Sequence, residues 1–153
     1  MVIIEELIKA EKAISIINDF ISCNEYLLPD PFSAHVDIRQ YAEKLNRLGT
    51  TFIAKDNEEV VGLLSGYIND FGNKCAYMQI GIVSKRLQGK GIGTQLFRTF
   101  IEKTKDVYGG GTVFLTVDKC NVNAFRLYTN MGFIVSNKAH LNENKMIMEY
   151  KLE

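Results

Sequence analysis

IVSKRLQGKGIGTQL, residues 82–96, is the stretch of the chain that decides its fold. An apolar, β-rich segment ends at Val83, and a basic turn follows with glycines at the alternate positions 89, 91 and 93. Apolar residues then recur at helical spacing from Ile92 through Leu96 to Phe100. The stretch therefore predicts a strand, a tight glycine turn and an amphipathic helix.

The same turn is a candidate phosphate site. Glycines without Cβ let an anion approach the backbone closely, and the first N–H groups of a helix have no intrahelical partner. The positive end of the helix dipole favours an anion there, and Lys85, Arg86 and Lys90 add positive charge. An ordinary strand-to-helix turn explains the spacing almost as well, so the rest of the chain has to decide.

Length and composition bound the class of protein. A chain of 153 residues fits one domain, expected over residues 1–153. Lys+Arg and Asp+Glu balance at 18 each, so no nucleic-acid partner is expected. We find no signal-peptide pattern and no apolar run near the ~20 residues that span a bilayer. The expectation is a cytoplasmic protein without a membrane partner, either a monomer or a homodimer.

Cysteines and histidines carry no metal or disulfide pattern. Cys23, Cys75 and Cys120 are odd in number and far apart, which predicts reduced thiols buried as small apolar residues. His35 and His140 have no clustered cysteines or carboxylates at ligand spacing, so no metal is expected.

Hydrophobic periodicity predicts an α+β fold in which helices interrupt a mostly antiparallel sheet. The segment 2–7 is either a strand or the start of the first helix. Helices are predicted over about 9–22, 37–48, 91–107 and 121–130. Strands are predicted over 50–55, 60–69, 75–83, 112–117, 133–135 and 145–151. The first three of these form a meander, and the glycine helix lies within a β–α–β unit.

A second informative block covers residues 115–133, LTVDKCNVNAFRLYTNMGF. It predicts a strand, a turn, a helix capped by Asn121 and an exit through Gly132 into another strand. Helix capping alone is enough to explain Asn121, and a core position is enough to explain Tyr128.

Taken together, the two blocks resemble the GNAT superfamily of acetyl-CoA-dependent N-acetyltransferases. Gln88-x-x-Gly91-x-Gly93 is similar to the family's Arg/Gln-x-x-Gly-x-Gly/Ala. Asn121-x-x-Ala124-x-x-Leu127-Tyr128-x-x-x-Gly132-Phe133 is similar to the segment with the pantetheine-side Asn and the acid Tyr. The resemblance covers residues 50–151. It implies a mixed, mostly antiparallel sheet with helices on both faces and splayed central strands.

The resemblance also implies roles for single residues, with acetyl-CoA as co-substrate. The pyrophosphate would lie on the backbone of Gln88, Gly89, Lys90, Gly91, Ile92, Gly93 and Thr94. The pantetheine arm would pair with the backbone of Ile82 and Val83, where a nearby N–H would stabilise the oxyanion. Asn121 would hydrogen-bond the arm from its far side. Tyr128 would protonate the departing thiolate as general acid.

The acceptor side departs from the family pattern. Many relatives place a Glu on the strand before the glycine turn, whereas residues 76–82 read AYMQIGI and hold no carboxylate. Other candidates for the base are Asp30, His35, Asp37, Asp70 and Asp118. No base is assigned. His35, Tyr67 and Gln79 are predicted to shape the acceptor pocket.

The predicted reaction is acetyl transfer to a primary amine of a small molecule, with an amino sugar as one candidate, by direct attack in a ternary complex. Acetylation of a peptide or protein α-amine and a catalytically silent acyl-CoA-binding module stay open as alternatives. A nucleotide-binding enzyme is disfavoured. Gly89-Lys90 is followed by Gly91 rather than Ser or Thr, and no glycine completes the dinucleotide fingerprint.

Overall fold

The computed structural model describes residues 1–28 and 32–152. Within these ranges, helices and strands alternate along the chain. The α-helices are α1 (Glu11–Asn24), α2 (Ile38–Leu48), α3 (Ile92–Tyr108) and α4 (Val122–Met131). The strands are β1 (Val2–Glu6), β2 (Thr50–Asp56), β3 (Glu59–Asp70), β4 (Cys75–Val83), β5 (Gly111–Asp118), β6 (Ile134–Val135) and β7 (Lys145–Leu152). The strand order of the sheet is β1-β2-β3-β4-β5-β7-β6. The mixed, mostly antiparallel α+β fold is therefore confirmed.

The chain divides into two compact units. The first unit comprises Met1–Tyr67 and Gln79–Phe100, and the second comprises Ile68–Met78 and Ile101–Glu153. The single domain expected from the chain length stays a prediction.

In the first unit, β1, β2 and β3 form an antiparallel sheet. The segment that was ambiguous in sequence is a strand, because Val2 pairs with Asp56 and Glu6 with Phe52. The β2–β3 hairpin turns through Asn57 and Glu58, whose φ values of 51° and 71° are both positive. A two-residue turn with positive φ at both positions has a backbone twist that matches the right-handed twist of the two strands it joins.

Helices pack on both faces of this sheet, as predicted. On one face, α1 and α2 form a core cluster with Leu63 of β3. The other members of the cluster are Ile17, Phe20, Ile21, Ala42, Leu45, Ile53, Ile80 and Ile82. On the opposite face, a Cβ placed on Gly62 would lie 3.1 Å from Cδ1 of Leu96 in α3. Glycine at position 62 therefore lets α3 approach β3 closely.

In the second unit, β5 is the central strand. β4 joins it in parallel, with Cys75 opposite Thr112 and Tyr77 opposite Phe114. β7 joins its other side in antiparallel register from Gly111–Leu152 to Asp118–Lys145, and β6 pairs with β7. Because β4 and β5 are parallel and α3 connects them, the predicted β–α–β unit is confirmed.

The cysteine prediction is partly wrong. All three thiols are free and Cys75 is buried, but Cys23 and Cys120 are exposed. Cys23 lies beyond the buried positions Ile17, Phe20 and Ile21 of α1, on the part of the helix surface that faces solvent. Cys120 lies in the turn before α4. Among the described residues, no helix is long and apolar enough to cross a membrane.

Candidate active site

The glycine turn follows β4 through a short helical turn over Lys85–Leu87. Gly89 and Gly91 have φ values of +79° and +84°, in the left-handed region that favours glycine. A Cβ on either residue would meet no atom within 4 Å. The requirement for glycine is therefore conformational, and the backbone is open to close approach at both positions.

Backbone donors follow immediately. The first intrahelical bond of α3 is donated by the Gln95 N–H to the Gly91 carbonyl, at 3.0 Å. The N–H groups of Ile92, Gly93 and Thr94 therefore precede the hydrogen-bond ladder of a 17-residue helix. N–H donors at the positive end of a helix dipole suit a phosphate, so this donor set fits the pyrophosphate of a nucleotide cofactor.

Gln88 is already engaged within the turn. Its backbone N–H donates to the Lys85 carbonyl at 3.2 Å, and its Nε2 donates to the Val83 carbonyl at 3.1 Å. Both bonds fix the path of the turn after β4. The backbone donors open to an anion therefore begin at Gly89 rather than at Gln88.

The basic residues around the turn are not equivalent. Arg86 pairs with Glu59, so its charge is compensated on the protein itself. Lys85 and Lys90 are exposed, and no ion pair involves either of them within the ranges that the structure describes. These two lysines are the cations available to a phosphate near the turn.

Asn121 caps α4. Its Oδ1 accepts a hydrogen bond from the Ala124 N–H at 3.1 Å, and its carbonyl accepts from the Phe125 N–H at 3.0 Å. Capping of this kind stabilises a helix start by about 1 kcal/mol. While Oδ1 serves the cap, the two Nδ2 hydrogens are donors that Asn121 can offer a ligand.

Tyr128 lies one turn before the end of α4 and is half-buried. Its ring centroid is 6.1 Å from that of Phe133, and Phe133 lies 5.4 Å from Tyr150. Burial raises the pKa of Tyr128 above its ordinary value of 10.0. The hydroxyl therefore holds its proton at neutral pH, as a proton donor requires.

Gly132 fixes the end of the helix that carries Tyr128. Its φ is +107°, and its N–H bonds back to the carbonyls of Thr129 and Tyr128. A Cβ at this position would lie 2.9 Å from Cε2 of Tyr150. Glycine is required here for two reasons, the left-handed conformation and the close approach of the Tyr150 ring.

The three predicted acceptor residues have different surroundings. His35 and Gln79 are exposed, whereas Tyr67 is half-buried with Lys44 Nζ 5.7 Å from its ring centre. Across residues 1–28 and 32–152, no hydrogen bond or ring contact joins any two of the three. A shared acceptor pocket for them stays a prediction.

The candidate bases are mostly committed to local structure. Asp37 accepts from the Gln40 N–H as the cap of α2, and Asp70 accepts from Asn73 in the turn after β3. Asp118 ends β5, and Asp30 lies outside the described residues. The described part of the chain contains no group of three or more metal-ligating side chains.

Two clefts open on the first unit. One of about 440 Å³ is lined by α1, the start of β3 and Ser84, and one of about 420 Å³ by Tyr26, Ser84 and the basic turn. Asn24 lines both. None of the predicted acceptor residues lines either cleft.

The second unit assembles side chains that the sequence did not single out. Tyr77 stacks on Phe114, with ring centroids 5.7 Å apart and an interplanar angle of 20°. Lys138 Nζ lies 4.2 Å from the centre of the Phe114 ring, and Glu149 is opposite Phe114 on β7. We call these four residues the Phe114 face. Its members come from three strands and a loop, so no local sequence signal predicts it.

Sequence comparison identifies related proteins. The model of the Acetyltransferase (GNAT) family matches residues 14–133. A spermine/spermidine N(1)-acetyltransferase of Bacillus subtilis is 26% identical over 88 residues. That match spans 58% of this chain and 58% of the length of the curated relative.

Solved structures share the fold over nearly the whole chain. The ribosomal-protein-S18-alanine N-acetyltransferase of Escherichia coli superposes with a TM-score of 0.76 at 16% identity, covering 99% of this chain and 94% of that one. The paia N-acetyltransferase of Thermoplasma acidophilum, solved in complex with coenzyme A, gives a TM-score of 0.70 at 17% identity. In that case 97% of this chain and 99% of the other are covered.

Proposed function

The chain belongs to the GNAT family of acetyltransferases, and from this premise we propose that it transfers an acetyl group from acetyl-CoA to a primary amine of a small molecule. One observation carries the proposal. Left-handed Gly89 and Gly91 lead directly into the N-terminal N–H groups of α3, a donor set suited to pyrophosphate. Acetyl-CoA supplies an acetyl thioester, an acyl group activated for attack by an amine.

The donor would be held mainly by main-chain groups. The pyrophosphate binds the N–H groups from Gly89 to Thr94, with Lys85 and Lys90 as flanking cations. The pantetheine arm pairs with the exposed backbone around Ile82 and Val83. Asn121 donates from Nδ2 to a carbonyl of the arm, since its Oδ1 is the helix cap.

Tyr128 is assigned the proton donor for the leaving thiolate. The acceptor nitrogen attacks the thioester carbon directly in a ternary complex, so no acylated residue of the chain is needed. The raised pKa of Tyr128 keeps the phenol protonated through neutral pH. Because burial raises the pKa of Tyr128, we expect no loss of activity from its ionisation at neutral pH.

The class of acceptor is a small amine. The curated relative is named for spermine and spermidine, which supports polyamines as one candidate. Amino sugars are a second candidate, because the predicted acceptor residues His35, Tyr67 and Gln79 are polar and aromatic rather than acidic. A peptide α-amine remains the alternative acceptor, and a silent acyl-CoA-binding module remains the alternative to catalysis.

The test is amine-dependent release of free CoA thiol from acetyl-CoA. The panel contains spermidine, glucosamine, small amino acids and a peptide with a free α-amine. We expect at least one amine to accelerate release.

Tyr128→Phe should lower kcat by about 10²-fold, and acetyl-CoA should still bind. Tyr150→Phe, at a half-buried tyrosine that also contacts Phe133, is the matched control. Binding of acetyl-CoA without acceleration by any amine would instead support the silent module.

A further inference from the structure

Phe114 has a neighbour on each side within the second unit. Across the parallel ladder it is opposite Tyr77, and across the antiparallel ladder it is opposite Glu149. Residues directly opposite each other in a sheet project to the same face. The aromatic pair and the Glu149 carboxylate therefore share one face of β5 and β7.

Tyr128 belongs to the other face. Val113, which precedes Phe114, is opposite Tyr150, and successive residues of a strand alternate between faces. Tyr150 contacts Phe133, and Phe133 contacts Tyr128. The layer of β5 and β7 thus separates the side of the proposed acid from the side of Glu149.

Glu149 is a largely buried carboxylate with weak compensation. Its side chain is 15% exposed, and its ion pair is with Lys151 Nζ at 3.9 Å, on a side chain that is 72% exposed. A pair at that distance with an exposed lysine contributes little. Burying a carboxylate beside an aromatic ring is costly, so the position of Glu149 on the Phe114 face calls for a functional explanation.

We propose that Glu149 accepts the proton that the acceptor amine must lose before it attacks the thioester. The inference rests on the proposed function, and it takes the thioester to lie at the end of the β4–β5 ladder within the second unit. Tyr77–Phe114 is the last rung of the β4–β5 ladder. An amine that approaches from the face opposite Tyr128 meets this aromatic pair and Glu149.

The acceptor ammonium gives one proton to the Glu149 carboxylate, which passes it to solvent. The freed nitrogen lone pair forms the C–N bond to the acetyl carbon, and the C–S bond breaks. Tyr128 protonates the thiolate and regains a proton from water. The second proton leaves the new amide nitrogen to water, so the net products are the acetamide, CoA thiol and one proton.

Two lysines and one tyrosine are the titratable groups near Glu149. Lys151 lies on the same strand, Lys138 follows β6, and Tyr77 lies beyond Phe114 on β4. Ile134 of β6, also opposite Glu149, and Thr112 and Thr116 of β5 do not titrate. Within the described residues, the ion pair that Glu149 makes is the one with Lys151 at 3.9 Å.

The experiment compares Glu149→Gln with Glu149→Asp, using the best amine from the panel. Glu143→Gln, an exposed carboxylate before β7, is the matched control. We expect Glu149→Gln to lower kcat by about 10²-fold at neutral pH, with an unchanged KM for acetyl-CoA and an unchanged melting temperature. The deficit should shrink as pH rises through the pKa of the amine, since a free amine needs no base. Glu149→Asp should restore part of the activity.

The outcomes separate the two proposals. If the wild-type protein releases no thiol with any amine, the proposed function fails and this inference fails with it. If the wild type is active and Glu149→Gln stays within about twofold of it, only the role of Glu149 is overturned. A deficit that is the same at every pH, or that Glu149→Asp does not reduce, also overturns that role.

Discussion

The glycine turn in the first unit and the Phe114 face in the second differ in the kind of group that they offer a ligand. The turn offers main-chain N–H groups, positioned by the left-handed Gly89 and Gly91. The Phe114 face offers side chains, namely two stacked rings, a carboxylate and an ammonium. A donor common to a whole family can be bound by backbone, whereas an acceptor that differs between members has to be selected by side chains.

Gly91→Ala tests whether the glycine turn binds the donor, and it has the largest expected effect of the substitutions on that turn. At φ +84° the alanine Cβ costs about 1–2 kcal/mol, which the turn can relieve by changing its path. We expect acetyl-CoA affinity to fall by about tenfold, measured by calorimetry. The preference among amines should stay unchanged, because the proposed function gives Gly91 a contact with the donor and none with the acceptor.

Gly72→Ala is the control for that experiment. Gly72 has no positive φ, and a Cβ there meets nothing within 4 Å. Its acetyl-CoA affinity should equal that of the wild type. Unchanged affinity in Gly91→Ala would mean that the donor does not depend on the turn, and the comparison would fail.

Two substitutions at Asn121 distinguish its role as a helix cap from a role in binding the donor. Asn121→Ala removes the cap that Ala124 uses and should destabilise the protein by about 1 kcal/mol. Asn121→Asp keeps an acceptor for the cap but removes the Nδ2 donors, so stability should be retained. If Asn121 also binds the pantetheine arm, both variants should lose acetyl-CoA affinity.

Chemical denaturation measures the stability of each Asn121 variant, and titration with acetyl-CoA measures its affinity for the donor. Loss of affinity in Asn121→Asp at wild-type stability supports the ligand role. Full affinity in Asn121→Asp leaves Asn121 as a helix cap only.

The two regions also differ in what the sequence predicts. The turn, Asn121, Tyr128 and Gly132 lie in two contiguous blocks, because capping and glycine turns depend on near neighbours, and the structure has each in the predicted element. The Phe114 face depends on the register of β5 with β4 and β7. Register is a property of long-range pairing, so Glu149 is not among the candidate bases that the sequence predicts.

The exposure of the cysteines follows the same logic. Cysteine is a residue type that is often buried, yet the position of Cys23 on α1 relative to Ile17 and Ile21 leaves it on the surface. Average residue preferences describe which side chains are often buried. The phase of a particular helix decides which ones are.

The smallest predicted effect belongs to Lys138, and it tests whether side chains of the Phe114 face select the acceptor. Its ammonium, 4.2 Å from the Phe114 ring centre, repels acceptors with a second positive charge. Lys138→Met should therefore raise kcat/KM for spermidine relative to a monoamine by about threefold at low salt, since an exposed charge is strongly screened. The gain should vanish near 1 M salt, where the Debye length is about 3 Å.

Lys119→Met, at another exposed lysine of the second unit, is the control and should leave the ratio of spermidine to monoamine kcat/KM unchanged. A ratio that moves equally in both variants would show that general surface charge, and not the Phe114 face, sets the preference.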